Sequence, residues 1–245
     1  MGALNGKAAV VTGGSRGIGR AVVERLARDG AAVTFSYAAD RAAATAVEVA
    51  VAAVGGRALA VHADQAGSAQ TTALFDAADR FGGGLDIVVA NAATVSVGRI
   101  ADLTDADWNQ AMTVNAKGTF QVIREAALRL RDGGRIMTSS VNTVMPAPGI
   151  GLYAAAKGAI EQLTAVAAHE LGARAITVNT VSPGATDTDM LRGANSAQAL
   201  TAAAAMSPLG RLGRPADVAD VVAFLAGPDG RWLTGQNLRA GGGIR

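Results

Sequence analysis

Tyr153 and Lys157 stand four residues apart in Leu152-Tyr153-Ala154-Ala155-Ala156-Lys157-Gly158. The chain has only two tyrosines and three lysines against nineteen arginines, so the pair draws on two scarce residue types. On a helix, residues at i and i+4 share one face, which would bring a phenol and an ammonium together. A free phenol titrates at about 10, and a nearby cation favours the phenolate. The spacing therefore predicts a Tyr153 made more acidic by Lys157 and able to exchange a proton near neutral pH. The bare pattern also suits a buried tyrosine beside a solvated lysine. The neighbouring motifs decide between the two.

The first of these is Thr12-Gly13-Gly14-Ser15-Arg16-Gly17-Ile18-Gly19. It follows the apolar run Ala8-Ala9-Val10-Val11-Thr12 and precedes a helical stretch from about Gly17 to Arg28. Glycines between a buried strand and a helix let the backbone turn tightly and approach a pyrophosphate at the helix N-terminus. The spacing of Gly13, Gly17 and Gly19 is wider than the usual G-x-G-x-x-G, but the strand–turn–helix context makes the signal strong. Arg16 lies inside the loop, where a guanidinium could reach a ribose 2′-phosphate. Dinucleotide folds selective for NAD usually carry an acidic residue at the end of the second strand. Here that place holds Ser36, Tyr37 and Ala38, with no carboxylate before Asp40 and with Arg41 as a second phosphate partner. The pattern favours NADP(H) over NAD(H).

Strand-like and helical stretches alternate around these motifs. Strands are expected over 32–37, 57–62, 85–90, 134–139 and 175–181. Helices are expected within 40–54, near 68–81, over a long span 105–131 and over about 152–172, the last carrying Tyr153 and Lys157. Alternation of this kind implies βαβ units, a parallel sheet and right-handed crossovers. No linker or repeat divides the 245 residues. The reading is one α/β, doubly wound domain over 1–245.

Composition narrows the function classes. Half the residues are hydrophobic, enough for a large core, and cysteine is absent, which excludes disulfides, thiolate metal sites and cysteine nucleophiles. A formal charge of only +2 gives no footprint for nucleic acid or an anionic membrane. No apolar run reaches the roughly 18 residues of a membrane span, and no signal-peptide pattern opens the chain. A cytoplasmic protein is expected. His62 and His169 lack a third ligand nearby, so no metal site is expected.

In order, the motifs T-G-x-x-x-G-x-G at 12–19, Asp64, Asn91-Ala92-Ala93, Val114-Asn115-Ala116-Lys117-Gly118, Ser139-Ser140, the Tyr153/Lys157 pair and Pro183-Gly184 with Thr188 span nearly the whole chain. Together they resemble the short-chain dehydrogenase/reductase family. The resemblance implies a Rossmann domain with a mainly parallel seven-stranded sheet. It also implies a catalytic tetrad of Asn115, Ser140, Tyr153 and Lys157, with Ser140 preferred to Ser139 because it stands thirteen residues before the tyrosine. In that scheme Ser140 donates a hydrogen bond to a substrate carbonyl and Tyr153 protonates the same oxygen as hydride arrives. Lys157 holds the nicotinamide ribose, and Asn115 anchors a water that resupplies protons.

The resemblance assigns cofactor contacts to the loop residues Gly13, Ser15, Arg16, Gly17, Ile18 and Gly19. Further contacts fall to Tyr37, Arg41, Asp64, Gln65, Asn91, Ala92, Ala93, Tyr153, Lys157, Pro183, Gly184, Thr186 and Thr188. Asp64 would bind the adenine amino group. Ala93 departs from the family's Asn-Ala-Gly, placing a methyl group beside the cofactor. The stretch 186–210 would form a lid over the substrate, with Val141, Asn142, Ile150, Met190 and Leu191 as walls. The implied activity is NADP(H)-dependent reduction of a ketone to a secondary alcohol. Two alternatives stand beside it, a 3-oxoacyl-[acyl-carrier-protein] reductase and an NAD-dependent alcohol or sugar dehydrogenase. Arg131 and Arg174 resemble carrier-binding arginines. The connection Leu130-Arg131-Asp132-Gly133-Gly134-Arg135-Ile136 instead resembles members acting on small or polycyclic ketones, including naphthol reductases. A homotetramer is implied as well.

Overall fold

The structure is a computed structural model and describes residues 2–141 and 147–244. In chain order, β1 (Ala8–Val11) leads into α1 (Gly17–Arg28), β2 (Ala32–Tyr37) into α2 (Arg41–Ala53), and β3 (Arg57–His62) into α3 (Ser68–Gly82). Next, β4 (Leu85–Ala90) is followed by α4 (Asp105–Ala111) and α5 (Gly118–Arg129), and β5 (Leu130–Ser139) by α6 (Gly151–Leu171). After β6 (Thr177–Pro183) come α7 (Asp189–Ala194), α8 (Ala197–Met206), α9 (Pro215–Ala226) and β7 (Asn237–Ala240).

Every neighbouring pair of strands is parallel, in the order β3-β2-β1-β4-β5-β6-β7. Helices cover both faces, which is why β1, β2 and β4 are buried at every residue and read as unbroken apolar runs. On one face Val22, Leu26, Val47, Val222 and Leu225 pack against Val11, Val33 and Phe35. On the other, Leu74, Phe75, Val122 and Ala126 pack against Val10, Val88, Ile136 and Val178. Removing a fully buried aromatic such as Phe35 would cost about 3–5 kcal/mol. The strand order reverses between β1 and β4, and a ligand crevice opens at that switch point, beyond the carboxyl ends of the strands.

The single helix expected over 105–131 is divided. Between α4 and α5 lies one wide turn of π type, Met112–Lys117, with Asn115 buried in it. β5 begins at Leu130, earlier than expected, and its pairing with β4 shifts register between Leu85 and Ile87. The 186–210 stretch, expected as a lid, contains two short helices. Thr188 caps α7 through Leu191 N, and Ser196 caps α8 through Ala199 N. α9 starts with Pro215 at its first position, where the missing N–H costs no helix hydrogen bond.

Candidate active site

The glycine loop is held by its neighbours. Gly13 N donates to Ser36 Oγ at 3.0 Å, and Thr12 Oγ1 accepts from Asn91 N and Ala92 N at 3.0 and 2.9 Å. Asn91 Nδ2 donates to the carbonyls of Thr12 and Gly13 at 3.0 and 3.3 Å. Gly13 and Gly17 have φ of +66° and +55°, a region side chains rarely adopt. A Cβ on Gly19 would stand 2.1 Å from the Gly13 carbonyl oxygen and 2.5 Å from Asn91 Nδ2. The loop thus closes on itself only because these positions are bare, and its backbone borders the N-terminus of α1. That cradle fits a dinucleotide pyrophosphate.

A cleft of about 280 Å³ opens beside the loop. Of the residues predicted to touch a cofactor, Gly13, Ser15, Arg16, Gly17, Ile18, Gly19, Tyr37, Asn91, Ala92, Ala93, Tyr153 and Thr188 line it. Ala93 needs no left-handed backbone, since among the described non-glycine residues only Ala175 has a positive φ. The family's glycine is therefore not required here for conformational freedom.

Other predicted contacts lie elsewhere. Arg41 opens α2 and borders a shallow surface depression with Ala42, Thr45 and Val49. Asp64 is exposed after β3, its carboxylate accepting from Ala66 N. Gln65 is buried and donates to the carbonyls of Ala92 and Val114 at 3.2 and 3.1 Å, joining the β4 end to the π-type turn. Pro183 ends the buried β6 strand. Gly184 and Thr186 line a separate cavity of about 240 Å³ with Ser207, Arg211 and Asp217.

Helix α6 presents Tyr153 to the cleft and turns Lys157 inward. The Lys157 ammonium lies 5.4 Å from the centre of the Tyr153 ring and donates to the Ser139 carbonyl at 2.7 Å. The acidified phenol expected from the spacing is not found. Burial alone pushes Tyr153 up to about 12; the ammonium sits over the ring, bound to a backbone carbonyl. Burial also lowers Lys157 to about 8. Asn115 exchanges two hydrogen bonds with the backbone of Thr94, accepting from its N and donating to its O, both at 3.0 Å.

Ser139 lines the cleft, whereas Ser140 is 3% exposed and turned toward α6. Its hydroxyl donates to Glu161 Oε1 at 2.8 Å. Glu161 is absent from the sequence reading, although its place four residues beyond Lys157 on the same helix face was a usable signal. Asp40 and Asp189 also line the cleft unforeseen; the Asp40 side chain accepts from Ala43 N and caps α2.

Of the expected substrate walls, Met190 lines the cleft and Leu191 lies in the first turn of α7. Ile150 precedes α6 and bridges to Gly98, and Val141 is partly exposed. Asn142 lies outside the described residues. Arg131 donates to Gly83 O and Asp86, and Arg174 to Asp132, Ala127 O and Leu130 O. Both cluster about the start of β5, at the sheet end opposite the cleft. The described residues hold no group of three His, Cys, Asp or Glu side chains suited to a metal ion. No helix among them is long and apolar enough to cross a membrane.

A seven-stranded parallel sheet with a glycine cradle at its switch point defines a doubly wound, dinucleotide-binding class of protein. Residues 13–245 match the family model described as enoyl-(acyl carrier protein) reductase. Versicolorin reductase of Emericella nidulans is 40% identical over 253 residues, covering 98% of this chain and 96% of the relative. A short-chain dehydrogenase from Burkholderia cenocepacia, crystallised with NADP, superposes with a TM-score of 0.93 at 40% identity over 98% of both chains. The angucycline C-6 ketoreductase LanV, with bound NADP, gives 0.94 at 38% identity, covering 99% of this chain and 97% of its own. The chain belongs to the short-chain dehydrogenase/reductase family of oxidoreductases.

Proposed function

We propose that this protein is an NADP(H)-dependent reductase that converts a ketone on an apolar framework to a secondary alcohol. The observation that carries the reading is the position of Tyr153, which shares one cleft with the glycine loop and has the buried Lys157 ammonium over its ring. The cofactor supplies hydride when bound. The loop from Gly13 to Gly19 would hold its pyrophosphate, and the exposed Arg16 at the cleft its 2′-phosphate. NADP bound in two of the related structures supports that choice.

Within the site, Tyr153 holds the proton destined for the substrate oxygen. A phenol pushed up to about 12 is neutral at physiological pH, so it is charged with that proton before reaction. Lys157 keeps a positive charge beside the ring below its value of about 8 and stabilises negative charge developing at the oxygen. Ser140, whose hydroxyl donates to Glu161 at 2.8 Å, would bind the same oxygen once its proton turns to it. Asn115 stiffens the π-type turn against Thr94, and α7 with α8 act as a lid that excludes water.

Apolar side chains support the substrate class. Val97 and Ile100 are exposed next to Gly149 and Gly151, ahead of Tyr153, while Met190 faces the cleft from α7. One relative is named a versicolorin reductase and one related structure an angucycline C-6 ketoreductase, which supports a ketone as the substrate. The carrier-linked alternative is weakened by Arg131 and Arg174, whose guanidiniums are engaged within their own fold. A panel of polycyclic ketones and β-ketothioesters assayed with NADPH and NADH tests the reading. Turnover of polycyclic ketones with NADPH is expected; preference for carrier-bound thioesters, or for NADH, would replace it.

A further inference from the structure

Two polar rungs join α6 to β5 where an apolar interface would be ordinary. Thr138 near the end of β5 and Ser140 just past it both reach α6, on which Glu161 and Thr164 sit one turn apart. Thr138 Oγ1 lies 2.8 Å from Thr164 Oγ1 and 2.9 Å from Thr180 Oγ1, all three fully buried. One turn nearer the cleft, Ser140 Oγ meets Glu161 Oε1 at 2.8 Å.

Ser140 has one proton and, among the described residues, three acceptors in reach. The Lys157 and Val141 carbonyls stand at 3.4 and 3.5 Å, the outer limit of a hydrogen bond, and the carboxylate oxygen is far closer. A carboxylate is also the strongest acceptor of the three, so the proton goes to Glu161. The lone pairs of Ser140 are then left for a donor, such as the Tyr153 phenol or an alcohol substrate. Donation from Ser140 to a ketone oxygen requires the proton to leave Glu161 first.

We infer that Glu161 is a positioning residue for the reaction, fixing the Ser140 hydroxyl beside α6 and deciding what it offers the substrate. The inference rests on the reductase reading above and adds a residue to it. Without Glu161, the proton turns to the two backbone carbonyls and the hydroxyl loses its set orientation. Glutamine can still accept from Ser140, without the charge; alanine cannot.

A double-mutant cycle on ketone reduction tests this, because a residue acting through Ser140 has no effect once Ser140 is gone. Glu161→Ala is expected to lower kcat by about 10- to 100-fold, the span of a hydrogen bond to a charged group. Glu161→Gln should lower it by only about 3-fold, with NADPH affinity unchanged in both. In a Ser140→Ala background each change should cost less than about 2-fold more. Equal losses in both backgrounds, or wild-type kcat in Glu161→Ala, would overturn the inference. If Glu161→Ala does not fold, the same comparison with Glu161→Gln decides it. If Ser140→Ala alone keeps the wild-type rate, the failure belongs to the assignment of Ser140 in the reductase reading.

Discussion

The Lys157 ammonium donates to the backbone carbonyl of Ser139 at 2.7 Å, tying α6 to the carboxyl end of β5. Tyr153 lies one turn before Lys157 and Ser140 directly follows Ser139, so one bond sets the two halves of the candidate site against each other. A lysine in that place carries a buried charge, and its environment lowers it to about 8. Tyr153, over whose ring the ammonium sits, is not acidified, because its burial pushes it up to about 12.

Replacing Tyr153 by phenylalanine removes the proposed proton donor and leaves the ring in place. Reductase activity should fall by at least about 100-fold, the low end for general acid catalysis, with NADPH binding retained. Steady-state rates on a verified ketone, with fluorescence titration of NADPH, check both parts. Activity within a few-fold of wild type would refute the assigned role.

Lys157 makes a prediction about pH and stability. Its value of about 8 in the folded protein is below the ordinary 10.5. Below pH 8 both folded and unfolded chains carry the proton, and the cost of burying the charge is fully present. Between about pH 8 and 10.5 the folded state binds fewer protons than the unfolded state, so this site makes stability rise with pH across that window. Comparing denaturation midpoints of wild type and Lys157→Met from pH 7.5 to 10 isolates the effect. The gap between the two should move in favour of the wild type as pH rises; a constant gap would contradict the shift.

The fold was legible wherever both faces of a strand are buried, because β1, β2 and β4 then read as unbroken apolar runs. The division of the 105–131 helix was not. Met112–Lys117 has an ordinary helical composition, and its π-type turn accompanies the Asn115–Thr94 bonds, which join residues 21 apart in sequence. The direction of the Tyr153 shift was not legible either. Spacing puts two side chains on one face, but only the packed structure shows how deeply the phenol is buried, and burial raises it. Glu161 was readable by position, yet its partner across the helix–strand interface was not.

Arg16 separates the two nicotinamide cofactors. It is exposed at the cleft mouth beside the cradle, and only NADPH carries a 2′-phosphate for a guanidinium to clasp. Arg16→Ala should weaken NADPH at least about 10-fold more than NADH, a loss of the order of one charge-assisted hydrogen bond. Titration of both cofactors against both proteins measures it. Equal losses would make Arg16 a support for the loop alone.

A second apolar face on α5 predicts assembly. Phe120, Arg124 and Leu128 lie on one side of α5 at four-residue spacing, with Arg124 stacked 5.6 Å over the Phe120 ring. Leu128 is 76% exposed, and Trp108 on α4 and Val166 on α6 are about half exposed. A helix apolar beyond the stripe that meets its own core needs a second surface to cover it. A copy of this chain related by a two-fold axis would supply one, since the same face would then meet itself. A second two-fold contact, near the short C-terminal strand β7, would close a dihedral tetramer, the assembly expected from the family resemblance. Sedimentation at micromolar concentration should give a homotetramer. Leu128→Glu should reduce it to a smaller species, because a carboxylate would face its own copy across the axis. A monomeric wild type would refute the tetramer, and an unchanged mass in Leu128→Glu would move the interface away from α5.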